Sequence, residues 1–193
     1  MESTDQNPAL QATPEAVLSF WLEAGPSRWF SHDHALDEQI RLRFLALHLT
    51  ASTGALAAWS DNASGALALL IVLDQFPRNL FRGSAHAFAT DPLARSIADA
   101  AVERGYDQQI EPALRPFVYL PLMHSELVAD QDRCVAFCQN LIQAGGDPRT
   151  LASAFQHRDI ILRFGRFPHR NVVLGRDTTA EEQAFLDEGG FAG

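Results

Sequence analysis

Helix punctuation, repeated along nearly the whole chain, is the feature that most limits how this sequence can fold. Thr13-Pro14 supplies an N-cap and a first-turn proline, Val17, Phe20, Trp21 and Ala24 follow at helical spacing, and Gly25 closes the segment. The same grammar predicts a helix from about Asp33 to Ser52, with Leu36, Ile40, Phe44 and Leu47 on one face and Gly54 just beyond. Further helices are expected over Ser64–Gln75, from Asp91-Pro92 to near Gly105, from Ser125 to Gly145-Gly146, and from Asp147-Pro148 to about Phe164. Thr178 with Glu181 has the spacing of a capping box for a short last helix ending near Gly189.

No segment alternates apolar and polar residues over a strand's length between hairpin turns, so the core needs no sheet. The reading is all-α. Connections are mostly short, which favours antiparallel neighbours in a layered bundle of helical hairpins. A chain of 193 residues is the size of one ordinary domain, expected here over 13–190, with a disordered N-terminal tail over 1–12.

Neither export nor membrane insertion is indicated. The start MESTDQNPAL lacks a basic region and an apolar run, and the most apolar stretch, Leu67–Leu73, is far shorter than the roughly 20 residues a span requires. Cys134 and Cys138 lie four apart on one helix face, poorly directed for a disulfide, and read as buried small hydrophobes. A reduced, cytoplasmic setting is expected.

Charge is unevenly distributed. The window His157–Arg176 holds five arginines and two histidines against one acid, Asp159; its +4 leaves −13 for the rest of a chain of net charge −9. All the basic residues are arginine, whose planar fork grips carboxylate or phosphate bidentately. Nucleic acid is excluded as a partner, because counterion release rewards a broad basic face and the remaining negative charge repels a polyanion.

Three polar clusters are candidates for chemistry. The first is Asp74, Gln75, Arg78, Asn79 and Arg82, directly after the apolar run. The second is His124 and Glu126, which flank Ser125, read as the N-cap of the following helix. The third is the basic window, with His157, Arg163, Arg166, His169, Arg170 and Asn171; Asp159 is expected to pair with Arg163 at four-residue spacing. Phe76-Pro77-Arg78-Asn79-Leu80 echoes Phe167-Pro168-His169-Arg170-Asn171, and both are read as helix exits where proline stops the helix. No metal-site, phosphate-loop, dinucleotide or nucleophile-elbow motif is present, so no cofactor and no metal are expected.

The segments SFWLEAGPSRWF, LDQFPRNLFRG, AFATDPLA, YLPLMHSE and RFGRFPHRNVVLGR resemble, motif for motif, the family catalogued as Domain of Unknown Function 924, over roughly Ala16–Gly190. The resemblance implies a helical fold similar to tetratricopeptide-like hairpins and supplies no reaction. It marks the polar residues of all three clusters, with Gln131, as the matching positions; Leu127 stands where an acid would be expected after His-Ser-Glu.

Three readings stay open at this level. The clusters converge on a pocket for a small phosphate- or carboxylate-bearing anion, clamped by Arg166 and Arg170 with His124 and Glu126 as acid and base. Alternatively the hairpins present a groove to a peptide, or the arginines and acids form an internal structural network. The ligand, any reaction and the oligomeric state are not fixed by these residues.

Overall fold

In a computed structural model, residues 12–191 are described and fold entirely into helices and turns, with no strand among them. The tail expected over 1–12 lies outside the described residues except for Ala12. Two compact units are distinguished: one runs up to Arg82 and includes His86–Ile110, and the other joins Gly83–Ala85 to the residues from Glu111 onward.

The first unit is built from α1 (Pro14–Ala24), α2 (Pro26–Trp29), α3 (His34–Ser52), α4 (Ala63–Leu70), α5 (Phe76–Leu80) and α6 (Asp91–Glu103). The Thr13 hydroxyl accepts the Ala16 amide, so the expected N-cap forms, and Asp33, at the expected start of the second helix, caps it by accepting the amides of Ala35 and Leu36. The predicted faces of α1 and α3 are buried, and Phe20, Phe44 and Phe76 meet as an aromatic cluster with successive ring centroids 5.0 Å apart. Leu67–Leu73 is buried along its whole length, as expected of a core helix.

Between α4 and α5 the helix does not stop at Pro77. It widens into a π turn over Ile71–Gln75, in which the Phe76 amide donates to the Ile71 carbonyl five residues back. The Val72 carbonyl, which Phe76 would satisfy in an α-helix, instead accepts from His48 Nδ1 at 3.0 Å. Pro77 has no amide to offer Leu73, whose carbonyl accepts the Thr90 hydroxyl at 2.5 Å. The expected helix exit at Phe76–Leu80 is therefore corrected: α3 and the start of α6 supply the missing donors, and the helix continues to Leu80.

The second unit contains α7 (Pro116–Met123), α8 (Val128–Gln143), α9 (Pro148–Phe164) and α10 (Ala180–Asp187). Helices α7, α8 and α9 pack against one another. α7 is buried from Phe117 to Met123, with no exposed face for a helical stripe to reveal. Cys134 and Cys138 are free thiols buried in α8, their sulfurs 4.0 Å apart. Two sequence expectations are corrected by local geometry. Leu127, not Ser125, is the N-cap of α8, although the Ser125 hydroxyl accepts the Leu127 amide and donates to Asp130. The capping box is Thr179 with Glu182, one residue beyond the expected pair, and both of its reciprocal hydrogen bonds are made.

No described helix is long and apolar enough to cross a membrane.

Candidate functional site

The first polar cluster lies wholly in the first unit and organises around two acids outside it. Arg78 donates to Asp91 at 2.8 Å and to the Ala87 carbonyl, sits 3.6 Å from Asp74, and stacks over Phe88. Asp74, fully buried in the π turn, accepts from Gln75 at 2.5 Å. Asp37 of α3 receives Asn79 at 2.7 Å and a bidentate Arg82 at 2.8 and 3.0 Å. Burial would raise the Asp37 carboxyl, but hydrogen bonds from Arg82 and Asn79 outweigh it and its pKa falls. Asn79 and Arg82 border a surface depression of about 260 Å³ that Arg41 and the acids Asp37 and Glu38 also line.

The second and third clusters come together in the second unit. α9 ends at Gly165, whose left-handed conformation (φ 70°) lets its amide cap Ile161 and reverses the chain into Arg166 and Phe167. Glu126, in the turn after α7, accepts the Phe167 amide at 2.8 Å and both arms of Arg176 at 2.8 and 3.1 Å. Burial would raise its carboxyl, yet Arg176 and the Phe167 amide prevail and hold it ionised. Arg176 donates onward to fully buried Asn171 at 3.0 Å, and Asn171 donates to Glu182 at 3.3 Å. Arg166 completes the series with a bidentate pair to Glu182 at 2.6 and 2.8 Å.

Glu182 was not among the expected residues. The hydrogen bond from Arg166 is the main cause of its pKa falling to about 2, against desolvation and with help from the Thr179 amide. Arg163 reaches Glu181 at 3.0 Å rather than the expected Asp159, and this pair is exposed. A solvent-screened pair of that kind contributes little.

A different group sits beside this frame. His124 closes α7 at its carbonyl end, the negative pole of the helix, not at the amide end expected from the sequence. Its ring lies 6.3 Å from that of His157 on α9. His157 is buried and its Nδ1–H donates to the Ser153 carbonyl at 2.7 Å, which leaves Nε2 as the acceptor of a neutral ring. Burial, then the positive influence of His124, lowers its pKa to about 4; the Ser153 carbonyl opposes this and Arg170 adds to it.

Phe167 forms the floor. The rings of His157 and His169 each lie 5.6 Å from its centroid, and the Arg170 guanidinium stacks over it at 4.7 Å. The Phe191 ring meets His157 at 4.4 Å and His169 at 5.2 Å, both edge to face. Among the described residues, no three His, Cys, Asp or Glu side chains are placed to hold a metal ion.

The family described as "Bacterial protein of unknown function (DUF924)" matches residues 17–190. The solved structure titled as a protein of unknown function, ATU0120, from Agrobacterium tumefaciens is similar at 47% identity and a TM-score of 0.86, over 91% of this chain and 97% of that one. No curated protein matches.

Proposed function

For this chain, which belongs to the DUF924 family of bacterial proteins, we propose the binding of a small anion, a phosphate or carboxylate, by His124, His157, His169 and Arg170 of the second unit. One observation carries the reading: the buried His157 ring lies 6.3 Å from that of His124 and packs on the same Phe167 ring as His169 and the Arg170 guanidinium. An anion would be met there by several nitrogen donors at once. Arg170 offers the bidentate fork, and His157 gains a proton at Nε2 as the guest arrives, turning from acceptor into donor. Arg166 and Arg176, bound by Glu182 and Glu126, act as frame in this reading. Acid/base work, where a reaction follows, falls to His124, since Arg176 holds Glu126 as a carboxylate.

The test is titration with inorganic phosphate at pH 6, read by thermal shift and by calorimetry in two buffers of different ionisation enthalpy. Phosphate should raise Tm and draw protons from the buffer. Arg170→Lys and His157→Gln should stay helical by circular dichroism and lose the response. A wild-type protein whose Tm and heat are indifferent to phosphate and acetate, each to tens of millimolar, overturns the proposal.

A further inference from the structure

The ring of Phe191 is the least explained part of this group. Two glycines follow α10 and its cap Glu188. Gly189 has φ 78°, and Gly190 donates its amide to the Phe185 carbonyl at 2.9 Å. A Cβ on Gly190 would stand 2.4 Å from that carbonyl and 2.7 Å from the Phe185 ring, so only glycine passes there. The pair folds the chain back and delivers Phe191 edge-on to His157 and His169. The ring is only partly buried.

The Phe191 ring meets both imidazoles edge to face, and both imidazoles and the Arg170 guanidinium pack on Phe167, so this position already accommodates a flat aromatic ring. We propose that the guest is an aryl-bearing anion, such as an aromatic phosphate ester or carboxylate, and that Phe191 occupies the aryl position until the guest displaces it. This rests on the anion reading above and adds the aromatic half of the ligand. The acid group meets Arg170 and the histidines, while the guest's ring replaces that of Phe191 between His157 and His169. Two glycines behind the phenylalanine make its departure a matter of backbone torsion, without unfolding of α10.

Phenyl phosphate and methyl phosphate carry the same charge and differ in the ring, so they separate the two halves of the idea. In the wild-type protein phenyl phosphate should bind at least tenfold more tightly than methyl phosphate. The His157 and His169 ring-proton resonances should shift with both ligands, and the Phe191 resonances should lose their ring-current shifts only with the aryl ester. Phe191→Leu, which keeps an apolar side chain of similar bulk, should bind methyl phosphate as the wild type does and phenyl phosphate several-fold more tightly. Equal affinity for the two esters in the wild type overturns the aryl slot and leaves anion binding standing. Binding of neither ester, with no histidine shift, removes the anion reading and the slot with it.

Discussion

Glu126 and Arg176 stand fifty residues apart in the chain and meet as a bidentate pair, and the same carboxylate takes the Phe167 amide. One acid thus fixes both ends of the segment that carries His169 and Arg170. Glu126→Gln keeps an acceptor for Phe167 but forfeits the charge-assisted half. It should cost about 1–3 kcal/mol in urea unfolding, and Glu126→Ala should cost more. Indistinguishable midpoints for all three proteins would remove the residue from the frame.

Arg166 and Glu182 form the other fixed point. Glu182 is only 2% exposed, so Arg166→Ala strands a carboxylate with little access to water. The urea midpoint should fall measurably, by less than breaking a fully buried pair would cost, because the Arg166 side chain is 28% exposed. Arg166→Ala combined with Glu182→Gln should lose clearly less than the sum of the single changes, because the neutral amide no longer needs the guanidinium. Strict additivity in that double-mutant cycle would show that the two side chains do not act as a unit.

Acid should weaken the second unit in two stages. The unfolded His157 takes up a proton near pH 6.5, whereas the folded one waits until about pH 4. Stability is therefore full above 6.5 and declines as pH falls toward 4, by about 3 kcal/mol if the whole shift is expressed. Glu182 acts next: its contribution is complete above about 4.5 and is lost as pH falls toward 2. Urea midpoints measured from pH 8 to 3 should show the first decline in the wild type and a flatter curve for His157→Gln.

In the first unit, His48→Phe keeps an aromatic ring against Phe81 but leaves the Val72 carbonyl without its donor. Thr90→Val does the same to Leu73. Each should cost about 1–3 kcal/mol, and amide exchange should quicken around Leu70–Phe76. Protection unchanged in both variants would mean that the π turn holds itself open.

Much of the fold was legible because its signals are local. Thr13 caps as expected, the second helix begins beside Asp33, and α3 buries the four residues its periodicity selects. What escaped was set by distant parts of the chain. Pro77 obeys the rule that proline ends a helix only where no other group can serve the stranded carbonyl, and here Thr90 does so from seventeen residues away. α7 shows no amphipathic stripe because it is buried on every side. Thr178 and Thr179 each have an acid three residues on, and Arg166 meets the second of those acids, which the local motif cannot foresee. Asp37 is a first-turn acid of α3, and nothing near it in sequence announces Arg82.

The π turn inserts one residue beyond the α repeat, which turns everything after it by about 100° relative to an unbroken helix. Excising a single residue from Ile71–Gln75 would leave a more regular rod. It would also swing Arg78 and Asn79 away from Asp91 and Asp37, so the LDQFPRN segment of this chain reads as a phase-setting device, in which the irregular winding aims the polar residues that follow.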